Sequence, residues 1–218
     1  MNDSFDRLAE DLRLTLCEMD PLEQFWLGIV GAPGSGKTTL SHELVDRIGD
    51  HAMIVPMDGY HLYRAELNAM PDPTEANRRR GAPFTFNASK FANDLALARQ
   101  SGSGVFPSFQ HGVGDPIEND IQLDVKKHRL VIVEGNYLLL DDEPWCQLRS
   151  LFNQTWYLEV DTVVVRRRLI ERFVTNGMSE TGAEQRVETN DLLNAGLIRQ
   201  QSPSKANRIV NLVELENT

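Results

Sequence analysis

The stretch Phe25-Trp26-Leu27-Gly28-Ile29-Val30-Gly31-Ala32-Pro33-Gly34-Ser35-Gly36-Lys37-Thr38-Thr39 decides the fold. An apolar run, Phe25 to Val30, passes directly into G-x-x-x-x-G-K-[ST]. That is the P-loop pattern in a strand–loop–helix setting. The glycines allow a tight turn in which successive backbone N–H groups point at a phosphate with no Cβ in the way. The helix that begins at about Gly36 adds its positive N-terminal end. Gly31, Ala32, Pro33, Gly34, Ser35, Gly36, Lys37, Thr38 and Thr39 are therefore the expected nucleotide-binding residues. Lys37 can reach the β- and γ-phosphates of ATP, and the Thr38 hydroxyl can ligate Mg²⁺. The alternative is a Gly-rich turn that matches by chance, expected in well under ~1% of chains of this size.

Outward from this loop the pattern alternates strands with helices, which predicts an α/β fold. Downstream, Leu40, Leu44, Val45 and Ile48 mark a helix, and Ala52 to Met57 a second strand that ends in Asp58-Gly59. In a parallel sheet, ligands bind beyond the carboxyl ends of the strands. Asp58 is then a general base or a Mg²⁺-linked carboxylate, or else a turn-forming Asp before Gly. Leu130 to Val133 is the clearest buried strand. It delivers Glu134 to the same edge, where a carboxylate can hold Mg²⁺.

Residues 62–86 are rich in Pro and carry Arg78-Arg79-Arg80, which is either a solvated face or an anion contact. Residues 88–100 read as a helix. Val105 to Phe109 is an apolar run broken by Pro107, and it leads to His111, which either contacts a substrate hydroxyl or is solvated. A short helix is expected over Pro144 to Phe152 and a strand over Thr155 to Val160. Asp161 caps a helix that carries Arg166, Arg167, Arg168 and Arg172. Arg168 and Arg172 are four apart on one face. The Gly-containing segment 175–182 then joins that helix to the next, at 183–201, as a lid would be built, with the arginines facing the transferring phosphate. The alternative is a charged solvent face. Ile209 to Leu215 reads as the last strand, and the loop 201–207 before it as a wall for the adenine base.

The chain has 218 residues and reads as a single domain over 1–218. An amphipathic N-terminal helix, residues 4–20 with Ser4 as N-cap, forms an extension over 1–24 on the outside of the core. Its apolar residues leave room for a homodimer. The net charge of −10 and pI near 5.0 argue against nucleic acid. No apolar run approaches the ~20 residues of a membrane span, and the acidic start lacks the form of a signal peptide. Cys17 and Cys146 are isolated, which fits reduced thiols in the cytoplasm.

Taken in order, GAPGSGKTT, PMDGYHL, RRGAPFTF, FPSFQHGVGDPIE, VIVEGNYLLL, RRRLIERFVTNG and ETND resemble the P-loop kinases that include uridine kinase, pantothenate kinase and phosphoribulokinase. The nearest resemblance is to the fructose-transport-system kinase branch, and it spans about residues 25–213. It implies a P-loop NTPase three-layer sandwich, with a mostly parallel sheet of about five strands, helices on both faces and an Arg-rich lid. It implies ATP and Mg²⁺ as cofactors and a small-molecule hydroxyl acceptor, with fructose the first guess and a nucleoside or pantothenate the second. By position it makes Asp58, Lys37, Arg168 and Arg172 catalytic and Glu134, with Thr38, the Mg²⁺ site. It places Tyr60, His61, Arg80 and His111 in the acceptor pocket. Gln110, Asn87 and Asn207 stand where the resemblance implies Asp. A P-loop alone also permits a regulatory ATPase or switch.

Overall fold

The computed structural model describes residues 3–110 and 114–212. Five strands form one parallel sheet in the order β2-β5-β1-β6-β7. They are β1 (Phe25–Gly31), β2 (Ala52–Pro56), β5 (Leu130–Gly135), β6 (Gln154–Leu158) and β7 (Arg208–Val210). Between β2 and β5 the chain makes a separate antiparallel hairpin of β3 (Ser103–Phe109) and β4 (Pro116–Asp124). The sequence reading missed β4, whose apolar face, Ile117, Ile121 and Leu123, is interrupted by Asn119 and set against the exposed Glu118, Asp120 and Gln122.

Strand parity sorts the core into two layers. Phe25, Leu27 and Ile29 of β1 point with Leu130 and Ile132 of β5 to one face. Trp26, Val30, Val131 and Val133 point to the other. The first face is covered by α1 (Phe5–Glu18) and α2 (Lys37–Ile48), through Leu8, Leu12, Leu16, Leu40 and Leu44. The second is covered by α5 (Ala88–Ser101), through Phe91 and Leu95, and by Ile198 of α8 (Leu192–Gln201). This is the α/β fold that the alternation predicts, in the three-layer form that the resemblance implies.

Helix α1 begins after Ser4, whose hydroxyl accepts from the Arg7 N–H at 3.2 Å. It is less peripheral than the sequence suggested. Asp11 accepts from the Arg208 guanidinium of β7 at 2.7 Å, and Asp3 pairs in parallel with Leu212. The apolar stripe that left room for a dimer is consumed inside the chain. Of the expected last strand, 213–215 lies outside the described residues.

Four further expectations are adjusted. Pro144 to Phe152 forms two 3₁₀ turns, Trp145–Gln147 and Arg149–Leu151, rather than one helix. The helix expected from 183 begins as α7 (Glu180–Arg186) and continues through a π-helical turn, Val187–Asp191, into α8. Short helices α3 (Arg64–Asn68) and α4 (Pro73–Arg78) punctuate the Pro-rich segment. The loop 201–207 enters β7 at its amino end, where Asn207 N–H donates to the Thr155 carbonyl oxygen at 2.8 Å. That is the sheet edge opposite the P-loop, so this loop cannot wall an adenine site.

Leu12 is 2% exposed between α1 and the sheet. Leu12→Ala is expected to cost about 2–5 kcal/mol of unfolding free energy, measured by urea denaturation. A loss under about 1 kcal/mol would return α1 to the role of a dispensable extension.

Candidate active site

The parallel register brings the chemistry to one edge. Ile29 and Pro56 are both level with Glu134, so the ends of β1, β2 and β5 lie side by side. From the first comes the phosphate loop, from the second Asp58, from the third Glu134.

The loop adopts the conformation its glycines permit. Gly34 and Gly36 hold φ of +75° and +96°, a region costly for any residue with a Cβ. A Cβ on Gly34 would also lie 2.9 Å from Leu169 Cγ. Helix α6 (Thr162–Thr175), capped by Asp161, therefore rests directly on the loop. The Ser35 hydroxyl is buried with no hydrogen-bond partner among the described residues. A buried donor without an acceptor beside a glycine cradle fits a phosphate group. Lys37 is buried and donates to the Ala32 carbonyl oxygen at 3.0 Å, folded over the loop. Burial lowers its pKa, Glu134 and Asp58 oppose that shift, and Arg172 adds to it.

Parity points Glu134 to the α2 side, where its Oε1 accepts from Thr38 Oγ1 at 3.0 Å. Burial raises the pKa of this carboxyl, Lys37 lowers it, Asp58 raises it further and the Thr38 bond lowers it. A hydroxyl and a carboxylate at this separation fit Mg²⁺, which takes one or two protein oxygens and completes its shell with water and phosphate. Among the described residues there is no cluster of three or more His, Cys, Asp or Glu that would cage a metal by itself.

Asp58 lies in a 3₁₀ turn, Met57–Tyr60, just beyond β2. Its side chain is 40% exposed, and its Oδ1 is 3.9 Å from His61 Nδ1. The His61 Nδ1–H donates to the Asp58 carbonyl oxygen at 2.8 Å, and its ring stacks between Phe86 and Phe109. His61 thus fixes the turn that carries Asp58. Tyr60 does not line an acceptor pocket as expected. It is 2% exposed, packs on Phe91 and donates its hydroxyl to Asp94 at 2.9 Å, so it is a core pillar under the same turn. His111 lies outside the described residues.

The arginine run divides. Arg78 pairs with Glu75 and donates to the Thr189 carbonyl oxygen, and Arg79 donates to Asn190 Oδ1 at 3.0 Å and Asn194 Oδ1 at 3.1 Å. Arg80 turns the other way. It donates to the Leu62 carbonyl oxygen at 3.1 Å, pairs with Asp115 at 3.3 Å and lies 5.7 Å over the Phe109 ring, one ring away from His61. A concavity of about 460 Å³, floored by Leu62, Phe86 and Trp145, backs onto this wall without including Asp58 or the P-loop.

Of the two arginines expected on a lid, Arg172 is close enough to Lys37 and Asp191 to shift both electrostatically, while Arg168 is half-buried beside Arg167 and Glu171. The α6–α7 turn contains Gly177 at φ +93°, with open space around it. Two of the departures are structural. Asn87 Oδ1 caps α5 by accepting from Lys90 N–H at 3.1 Å, a job that Asn and Asp do equally well. Asn207 Oδ1 accepts from the Thr155 N–H at 2.8 Å and from its hydroxyl at 2.9 Å.

The sequence reading gave no role to Asp191, the last residue of the ETND motif, and passed over Arg186 and Arg64. Asp191 is buried in the π-helical turn, and its Oδ2 lies 3.9 Å from Arg186 Nε. Burial raises its pKa against the pull of Arg186 and Arg172. A signal was present. Val187, Asn190, Asp191, Asn194, Ala195 and Ile198 fall on one helical stripe, and three of these inward positions are polar.

No family model matches the chain. A Schizosaccharomyces pombe protein provisionally named a uridine kinase is 37% identical over 177 residues, 77% of this chain and 75% of that one. An ATP-dependent kinase-like protein of Aspergillus versicolor is 42% identical over 146 residues, 64% of this chain and 84% of that one. A crystal structure from Silicibacter sp. TM1040, provisionally assigned as a fructose transport system kinase, superposes with a TM-score of 0.84 at 30% identity. It covers 95% of this chain and 99% of its own.

Because Glu134 holds its proton to a higher pH than an ordinary Glu, affinity for a Mg²⁺–nucleotide should fall on acidification before pH reaches the usual carboxylate range. Titration calorimetry with a non-hydrolysable ATP analogue across pH should show this loss, and Glu134→Gln should flatten it. A profile that is the same in both proteins would remove Glu134 from the metal site.

Proposed function

Because this chain belongs to the uridine kinase-like family of P-loop kinases, we propose that it transfers the γ-phosphate of ATP to a hydroxyl of a small, sugar-like acceptor. The observation that carries the reading is the convergence of Lys37, Thr38, Asp58 and Glu134 at the ends of three neighbouring strands. A nucleotide switch needs the loop and a metal site. It does not need a second, half-exposed carboxylate facing them.

In this reading the loop N–H groups and Lys37 hold the β- and γ-phosphates. Thr38 and Glu134 would hold Mg²⁺, which when bound would neutralise charge on the phosphate oxygens. Asp58 takes the proton from the acceptor hydroxyl as that oxygen bonds to the γ-phosphorus. The bond from the γ-phosphorus to the β–γ bridging oxygen breaks, and ADP leaves with that oxygen. Arg172, with Arg168 on the same helix, is brought onto the transferring group as the lid swings about the Gly177 turn. Closure keeps water away from the γ-phosphate, so ATP is not spent on hydrolysis.

Fructose is the first acceptor to try, on the motif resemblance and the assignment of the Silicibacter structure. Uridine is the second, on the name of the S. pombe relative.

The test is ADP release from Mg²⁺–ATP across fructose, other hexoses, uridine, cytidine, pantothenate and ribulose 5-phosphate, with Lys37→Ala as the blank. One acceptor should raise turnover well above the acceptor-free rate, and Asp58→Asn should then lower transfer at least ~100-fold with little change in nucleotide affinity. Rapid ATP hydrolysis that no acceptor stimulates would replace the kinase reading with a regulatory ATPase.

A further inference from the structure

The wall beside Asp58 has more positive charge than a neutral sugar requires. Three guanidinium groups meet there from separate elements: Arg64 from α3, Arg80 from the end of the arginine run and Arg186 from the last turn of α7. Arg64 and Arg80 are brought together by one oxygen, since Asp115 Oδ1 accepts from the Arg64 backbone N–H at 2.9 Å and from Arg80 Nη2 at 3.3 Å. Arg186 is held beside them because Asn190, one turn further along its helix, donates to the Arg80 carbonyl oxygen at 3.0 Å.

Two carboxylates, Asp115 and Asp191, face these three cations. The nearby Glu66 and Glu118 are already engaged by the backbone N–H and the hydroxyl of Tyr63. The Nε of Arg80 is buried without an acceptor among the described residues; that of Arg186 is buried without a hydrogen bond, its nearest carboxylate oxygen being Asp191 Oδ2 at 3.9 Å, and its guanidinium lies 4.8 Å over the Phe173 ring. The Arg64 guanidinium lies against Gly114, where any Cβ would overlap it. Donors in a fork geometry without acceptors match a carboxylate or a phosphate. A chain of net charge −10 would otherwise repel such a group.

We propose that the acceptor carries an anionic group, a carboxylate or a phosphate, which docks among Arg64, Arg80 and Arg186 while its hydroxyl faces Asp58. This rests on the kinase reading for the role of Asp58, and the anion site itself stands on the cluster. It turns the search from free sugars to sugar acids and sugar phosphates.

Two measurements test it. In the first, the enzyme is filled with Mg²⁺ and a non-hydrolysable ATP analogue, so that the P-loop is blocked, and inorganic phosphate is titrated in by ³¹P line broadening. Binding should appear and should weaken at least ~10-fold in Arg64→Gln and in Arg186→Gln, with circular dichroism melts recording that both variants fold. Absence of binding, or equal binding by Arg64→Gln, overturns the proposal. In the second, ADP release is compared within matched pairs: glycerol and glycerate, glucose and gluconate, fructose and fructose 6-phosphate. The charged member should be preferred, and the pair that responds separates carboxylate from phosphate. Preference for a neutral member overturns the proposal and leaves the kinase reading intact. Phosphate binding lost in Arg64→Gln, combined with acceptor-independent ATP hydrolysis, upholds the anion site and overturns the kinase reading.

Discussion

Everything at the active edge depends on a turn of six residues that only glycine-bearing sequence can make. Gly34 and Gly36 carry the backbone through positive φ, and the second of them starts α2 without any side-chain cap. A helix begun this way leaves its first N–H groups without partners and aimed at the same point. The surrounding elements accept the constraint rather than relieve it. Leu169 and Val165 of α6 press on Gly34, with no room for a methyl group between them. Helix α6, the start of the proposed lid, thus rests on the loop itself.

The charges at this edge are costly to hold without their ligand. Lys37 and Glu134 are both largely withdrawn from water, and burial works against the charged form of each. They offset one another in part, and the Thr38 hydroxyl and Ala32 carbonyl oxygen supply the remaining bonds. Opposite charges buried near one another in this way contribute little to stability. Their value is that the site is already assembled when the phosphates arrive, so that little reorganisation is left for the reaction itself.

Much of this was readable from the chain. The β1–loop–α2 unit, the strands ending in Asp58 and Glu134 and the capped helix α6 all announce themselves, because each joins an apolar run to a residue whose chemistry differs sharply from it. What was hidden depends on long-range placement. Tyr60 sits between two site residues in sequence, yet strand-end geometry turns it into the core. Loop 201–207 follows a helix as other site loops do, but it feeds the amino end of a parallel strand and so emerges at the far edge. Arg64 and Arg186 are 122 positions apart in the numbering, and no local pattern could place both beside Arg80. Asn87 and Asn207, which stood out as departures, are capping and strand-clamping residues.

The bonds from Arg78 and Arg79 to Thr189, Asn190 and Asn194 have a consequence for how such an enzyme can be altered. Residues 62–86, which in the proposed reading supply one wall of the acceptor site, are bolted to the π-helical turn and α8. Specificity here is not a detachable cassette. A wall transplanted from a relative would arrive with its arginines facing a foreign helix, and the graft would need Asn190 and Asn194 matched to it. In the proposed reading, acceptor choice and the α7–α8 segment therefore have to be inherited together.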